Sequence, residues 1–328
     1  MLAALLNIPE KRFELSEHPL PSPGRGEVLV KLQAAALNHL EIWAVRGTFP
    51  FLPQYALVGS DGAGRIVALG EQVAQTWMRS EVVINPSLRW GDASMPSEAF
   101  SILGVGSPGV FAEYVCVPVE NVYPKPGHLT AAQAAALPLA GLTAYRALVS
   151  RAAVKAGQRV LITGIGGGVA VQALQIALAL GAEVYVTSSS DEKLERARQM
   201  GAQGGANYSR HGWADSLAVA DFDMVLDSSG YEVNKLISLA KRGGSIVNIG
   251  MTKADTTTIS IPLLFSRQVS LLGSTLGSPR EFQAMLSLVS QAQIVPAIER
   301  ILPLAHIQDA FALQQRKERF GKIIITIS

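Results

Sequence analysis

One stretch constrains the fold more than any other. An apolar run over 159–163 enters a turn with glycine at 164, 166, 167 and 168, a helical run follows over 169–180, and a second apolar run covers 183–187. A strand that feeds a helix through so short a turn comes back as a parallel neighbour, because such crossovers close in one hand. The alternation continues with helical runs over 192–200 and 232–240 and strands over 224–227 and 245–249, which predicts an α/β doubly wound parallel sheet. Glycines in the turn let the backbone approach a pyrophosphate, whose charge is stabilised by the free amides and positive end of the following helix. Gly164, Gly166, Gly167, Gly168 and Val169 are therefore the candidate cradle for a dinucleotide.

The tip of the second strand decides which dinucleotide. A carboxylate there accepts both ribose hydroxyls and repels a 2′-phosphate, but this chain offers Ser188, Ser189 and Lys193. Asp191 is the one acidic candidate. Ser189 followed three residues later by Glu192 reads as a capping box, which puts Asp191 in a helical first turn where a carboxylate is favoured anyway. The expectation is NADPH, with Ser188, Ser189 and Lys193 on its 2′-phosphate. Tyr208 either covers the adenine, reaches that phosphate, or is a half-buried surface tyrosine. Ligands of such sheets bind at the carboxyl ends of the strands, so Ser229, Gly250 and Met251, which end the fourth and fifth strands, are expected to border the ribose and nicotinamide.

The flanks read differently. The first 120 residues are short Val-, Leu- and Ala-rich runs broken by Pro and Gly, a mainly β pattern expected to form a partly open barrel. The apolar start, broken by Pro9, reads as a first strand, and 111–119 as another. A helical run begins near Leu129. After residue 270 come a strand (270–274), a helix (279–291), a helix near 306–315 and a closing strand (322–327). At 328 residues, two domains with sizeable cores are expected.

Composition removes several classes of function. With 28 Lys plus Arg against 26 Asp plus Glu, nothing signals the basic face of a nucleic-acid binder. No run approaches the roughly 20 apolar residues of a membrane span, and the start lacks a basic leader and cleavage site, so a cytoplasmic protein is expected. The single cysteine, Cys116, excludes an internal disulfide and every zinc arrangement needing two or four thiolates. The histidines at 18, 39, 128, 211 and 306 show no ligand spacing.

Five ordered motifs carry a resemblance over almost the whole chain: Ala36-Leu-Asn38-His-Leu-Glu41-Ile-Trp43 with Arg46-Gly47, Gly59-Ser-Asp61-Gly-Ala-Gly64, Leu137-Pro-Leu-Ala-Gly141-Leu-Thr143-Ala-Tyr145, the glycine turn, and Gly321-Lys322. Together they resemble the medium-chain dehydrogenase/reductase superfamily, and within it the zinc-independent quinone oxidoreductase branch that includes zeta-crystallin. The resemblance implies a GroES-like barrel domain built from both ends of the chain (1–124 and 270–328) and a Rossmann domain between (125–269). It implies no metal: zinc-dependent relatives have a cysteine where this chain has Asn38, a His-Glu pair at Ser60 and Asp61, and usually a four-cysteine lobe where 85–108 has none.

By the same resemblance Asn38 is the leading catalytic residue and lies beside the nicotinamide ribose, where an amide both donates and accepts. Thr143 would bond the nicotinamide side, Gly273, Ser274 and Thr275 would lie near its carboxamide, and Lys322 joins the cofactor-binding residues. Trp43 and Phe49 stand where relatives carry substrate-pocket tyrosines, and Tyr55 and the irregular loop 87–108 complete the expected pocket. With Phe49 unable to donate a proton, water, Tyr55 and a ribose hydroxyl relay stay open as sources. His39, if its segment is extended, points away from Asn38. The implied activity is zinc-free hydride transfer from NADPH to a quinone or another electron-poor conjugated carbonyl. Enone or alkenal double-bond reduction and a non-catalytic NADPH-binding role are the alternatives. Relatives also pair the 270–274 strand across a two-fold axis, so a homodimer through the sheet edge is expected.

Overall fold

Pro9 does not interrupt one strand; it sits in the turn of a hairpin between β1 (Leu2–Asn7) and β2 (Arg12–Glu17). The structure, a computed structural model, describes residues 1–91, 94–217 and 219–328. β3 (Glu27–Ala36) carries the alternation that buries Val28, Val30 and Leu32. It runs into a short helix, α1 (His39–Val45), and then β4 (Tyr55–Ala56), β5 (Asp61–Leu69) and β6 (Glu81–Ile84) follow. Within 87–108 the chain makes a small hairpin, β7 (Ser87–Leu88) with β8 (Ser101–Ile102), and packs Trp90 edge-on against Phe100. The strand expected over 111–119 is shorter, β9 (Tyr114–Pro118), followed by β10 (Val122–Pro124). The long helical run after Leu129 breaks into α2 (Ala131–Ala135) and α3 (Pro138–Tyr145), because a residue before proline is driven out of the helical region.

The second unit begins with β11 (Arg159–Ile162), α4 (Gly168–Ala179), β12 (Glu183–Ser188), α5 (Asp191–Gln199) and β13 (Gly204–Asn207). It continues with β14 (Phe222–Asp227), α6 (Val233–Leu239), β15 (Ala240–Asn248), α7 (Ile261–Arg267) and β16 (Ser270–Gly273). The strands form one parallel sheet in the order β13-β12-β11-β14-β15-β16. The order reverses beside β11, the switch point at which the carboxyl ends of such sheets open a crevice. β11 and β14 are buried on both faces, as continuous apolar strands of a parallel sheet must be. The sequence reading missed β13 and α7, whose Gly-rich and Pro-containing runs carry little periodicity.

The chain then returns to the first unit through α8 (Pro279–Gln291), β17 (Ile298–Pro303), α9 (Ile307–Gln314) and β18 (Lys322–Thr326). α8 starts where the sequence says it must, with Ser278 as cap, Pro279 in the first turn and Glu281 closing a capping box. β18 pairs antiparallel with β3, and β3 with β5, in a seven-stranded sheet whose core includes Leu32, Ile66, Ile84, Phe111 and Phe311. The units comprise residues 1–142 with 277–328, and 143–276. These boundaries fall later than the expected 124/125 and 269/270, because α2 and much of α3 belong to the first unit. Among the described residues no helix is long and apolar enough to cross a membrane.

Candidate functional site

In the first unit, antiparallel pairing brings together three residues far apart in sequence. Ala36, near the end of β3, is opposite Asp61 at the start of β5 and Ile324 near the start of β18. Asn38, two residues past β3, therefore meets Asp61 and Lys322. The Lys322 ammonium donates to Asn38 Oδ1 at 2.6 Å, to Asp61 Oδ2 at 2.9 Å and to the Leu37 carbonyl at 2.8 Å. Asn38 Nδ2 donates to Asp61 Oδ2 at 2.9 Å, and the Leu139 amide in the first turn of α3 donates to Asp61 Oδ1 at 2.8 Å. Asp61 is wholly buried and Lys322 nearly so. The two partners fix which end of the Asn38 amide is oxygen and which is nitrogen. They leave that amide one further N–H.

This arrangement corrects one expectation. Lys322 does not present its ammonium to a ligand, since all three of its donors are committed within the protein. It positions Asn38 instead. A second correction concerns His39. The segment is the start of a helix rather than extended, with Asn38 as its cap residue, and the Asn38 amide N–H donates to Glu41 Oε2 at 2.7 Å. The His39 ring lies edge-on to Trp43, and Arg319 Nη2 is 3.4 Å from each of its ring nitrogens. Burial, reinforced by the charges of Arg319, Lys322 and Arg46, pushes its pKa down to about 3, so the imidazole is neutral.

Sequence reasoning gave no role to Glu41. Its carboxyl is buried, burial raises its pKa to about 8, and its second oxygen has no hydrogen-bond partner. That residue borders a cavity of about 10 Å³ with Ser60, Gly59 and Gly104, room for about one water. Ser60 spends its hydroxyl on the Leu103 carbonyl at 2.7 Å. The expected pocket residues are placed as follows. Phe49 packs against the core and lies 6.1 Å from Phe51. Tyr55 is exposed on β4, in register with Asn7 of β1. Residues 92 and 93 of the 87–108 loop lie outside the described residues. Cys116 is a half-buried thiol whose pKa burial raises to about 11, a poor nucleophile.

In the second unit the glycine turn has the expected shape. Gly164 and Gly166 have φ of +68° and +118°, which L side chains rarely adopt. The Ile165 amide donates to the Thr187 carbonyl at 2.8 Å, which pins the turn to β12. α4 starts at Gly168 with Gly167 as a cap that has no side chain, so no cap side chain occupies the first amides of this twelve-residue helix. An anionic pyrophosphate fits there. Thr143 is buried in the last turn of α3.

At the tip of β12 the expected capping box is displaced by one residue. Ser190, not Ser189, caps α5, accepting the Lys193 amide at 3.4 Å, and Asp191 is its first helical residue. The Ser188 hydroxyl is buried and accepts the Ser190 amide at 3.2 Å, so it is not presented to a phosphate. Ser189 is exposed and the Lys193 side chain half-exposed. The Asp191 carboxylate pairs with Arg210 at 2.6 Å and Asn207 at 3.0 Å.

The carboxyl ends of β11, β14 and β15 are tied by a residue to which sequence reasoning gave no task. The buried Asp227 accepts from the Ser229 amide (2.9 Å) and hydroxyl (2.7 Å), the Gly230 amide (3.0 Å), Asn248 Nδ2 (3.0 Å) and, more weakly, Thr163 Oγ1 (3.4 Å). This consumes the Ser229 hydroxyl proton. Gly250, Met251 and Gly273 line one cavity of about 280 Å³ with Asp227, Val233, Leu271 and Leu272, and Thr275 is exposed beyond β16.

Comparison with known proteins matches this architecture. The alcohol dehydrogenase GroES-like domain family covers residues 24–127 and the zinc-binding dehydrogenase family residues 168–291. A zinc-type alcohol dehydrogenase-like protein of Leptosphaeria maculans is 36% identical over 94% of this chain and 92% of its own. This chain belongs to the medium-chain dehydrogenase/reductase superfamily. Members with solved structures cover both cofactors. An NAD-dependent alcohol dehydrogenase superposes with a TM-score of 0.93 at 34% identity over 100% of both chains. A 2-octenoyl-CoA carboxylase reductase, in complex with NADP and 2-octenoyl-CoA, superposes with 0.90 at 26% identity over 99% of this chain and 87% of its own. As a superfamily member the chain is an oxidoreductase with a GroES-like domain and a Rossmann-type parallel sheet.

Proposed function

We propose that this chain is a zinc-free oxidoreductase that passes hydride from NADPH to a quinone or another electron-poor conjugated carbonyl. The observation that carries the reading is the donor set around Asn38. At the positions where zinc-dependent relatives hold their metal, both Asp61 oxygens are committed to Asn38, Lys322 and Leu139, Ser60 is committed to Leu103, and an ammonium lies against the acceptor oxygens of Asn38 and Asp61. A divalent cation placed among these groups would meet a buried positive charge, and the set has no thiolate or imidazole. Among the described residues no group of three or more His, Cys, Asp or Glu is arranged to hold a metal ion. The residues do not fit zinc.

They do fit a dinucleotide, which supplies hydride when bound. The glycine turn and the bare start of α4 would hold its pyrophosphate, and the Asp227 knot keeps the neighbouring strand ends at fixed spacing. NADPH rather than NADH is supported by the tip of β12, where Ser189 is exposed, Lys193 is half-exposed and Asp191 is paired with Arg210. Asn38 orients the acceptor. The Lys322 ammonium on Asn38 Oδ1 polarises the amide, so its remaining N–H becomes a stronger donor to a carbonyl oxygen gaining charge. Neither neighbouring titratable group is placed to supply the proton: the His39 imidazole is neutral, and the Glu41 carboxyl is buried. Solvent supplies it.

The partner is a second copy of the chain. β16 is one edge of the six-stranded sheet, and Leu271 on it and Ile261 and Phe265 on α7 are exposed apolar side chains. A second reading, double-bond reduction of an enone or enoyl thioester, is favoured by the likeness to the reductase that binds 2-octenoyl-CoA. NADPH oxidation by chelator-treated protein with quinone and enone panels decides among these. Turnover with quinones that survives metal removal is expected. Turnover lost on chelation and restored by zinc overturns the proposal, and cofactor binding without turnover would assign a non-catalytic role.

A further inference from the structure

The loop after β15 delivers a cation to the adenosine end of the sheet, and no sequence motif announces it. Lys253 Nζ is 4.2 Å from the centroid of the Tyr208 ring and 5.3 Å from that of Tyr231, both within cation–π range. Its backbone is held firmly. The Thr252, Lys253 and Ala254 amides donate to the Ser228 and Ser229 carbonyls at 3.0–3.1 Å, and the Thr252 hydroxyl also reaches Ser228. Gly230 permits this seam: a Cβ there would lie 2.4 Å from the Ala254 carbonyl oxygen, and its φ of +68° disfavours any other residue. Tyr208 in turn donates its amide to the Ser188 carbonyl at 2.9 Å, so the ring under Lys253 belongs to the residue hydrogen-bonded to the tip of β12. That is the tip at which a 2′-phosphate and a 2′-hydroxyl are told apart.

Besides Lys193, half-exposed in the first turn of α5, the tip itself offers little positive charge. Ser188 is buried and engaged, and Arg210 is paired with Asp191. The Lys253 side chain is exposed, and the two rings stabilise its ammonium while leaving N–H groups free for an anion. We propose that Lys253, steadied by Tyr208 and Tyr231, is a specificity-determining residue that recognises the phosphate on the adenosine ribose of the cofactor. This rests on the NADPH reading above. A charge-assisted contact of this kind is short, directional and absent for a neutral hydroxyl, so it acts on the difference between the two dinucleotides rather than on binding in general.

The test uses the whole protein and two fragments that share everything but the phosphate, 2′,5′-ADP and 5′-AMP, titrated calorimetrically. Wild type is expected to bind 2′,5′-ADP more tightly. Lys253→Met, which keeps the apolar stem, is expected to weaken 2′,5′-ADP about tenfold or more and to leave 5′-AMP unchanged, with Lys253→Arg restoring much of the difference. If Lys253→Met keeps the full preference, or weakens both fragments equally, the assignment to Lys253 is wrong while the NADPH reading survives. If wild type itself does not discriminate, the NADPH reading falls and the role of Lys253 with it.

Discussion

Replacing Glu41 by glutamine tests whether a buried acid beside Asn38 is held neutral. The folded carboxyl has a pKa of about 8 against an ordinary 4.5. Between those values the native protein keeps a proton that the unfolded chain has released, so stability falls as pH rises through this window and levels off above it. The span of about 3.5 pH units, at roughly 1.4 kcal/mol each, amounts to a loss on the order of 5 kcal/mol between pH 4.5 and 8. Glutamine keeps an acceptor for the Asn38 amide and cannot ionise. Like the protonated acid it offers a donor to the water-sized cavity, so at pH 5 the two proteins should differ by only about 1 kcal/mol. At pH 9 the variant should be the more stable by several kcal/mol. Urea unfolding from pH 5 to 9 followed by tryptophan fluorescence reads the right unit, because Trp43, Trp77 and Trp90 lie in it and only Trp213 lies in the other. Subtracting the variant's profile removes every other titrating group. Parallel pH profiles for the two proteins would refute the argument, since they would mean that Glu41 is ionised in the native state throughout.

Three further outcomes follow from the same contacts. Lys322→Met should destabilise the first unit by about 3–5 kcal/mol by leaving the Asp61 carboxylate buried beside one amide and one backbone N–H; adding Asp61→Asn should recover part of that loss in urea unfolding. Asp227→Asn should weaken NADPH binding about tenfold or more in a fluorescence titration, because a new N–H₂ would face a ring made of donors. His39 should show no titration of its ring resonances between pH 5 and 9 by NMR, as a group with a pKa of about 3 has lost its proton well below that range.

Much of the fold was legible because its signals are local. The glycine turn needs positive φ at Gly164 and Gly166, and only glycine adopts it freely. Ser278, Pro279 and Glu281 mark a helix start through groups within one turn of each other. Errors arose where two local signals competed. Ser189 with Glu192 and Ser190 with Lys193 are both acceptable caps, and one residue of register decided whether Ser188 faces a ligand or the backbone. The run after Asn38 is too short for its period to declare itself, so α1 was missed and the extended geometry considered for His39 does not hold.

What the chain determined by itself is its list of steric permissions and periodic burial: where the backbone turns, which strongly periodic stretches are strands or helices, and that a helix start without a cap side chain follows the glycine turn. What only the tertiary structure decided is which polar groups are left with something to offer. Lys322 lies 284 residues from Asn38 and 261 from Asp61, and the register of β18 on β3 turns a candidate ligand into the support of another residue. Lys253 comes to lie over the Tyr208 and Tyr231 rings only once the loop after β15 is tied to the Ser228 and Ser229 carbonyls. The physical reason is that hydrogen-bond capacity is finite and is spent between neighbours in space, which the order of residues along the chain does not record.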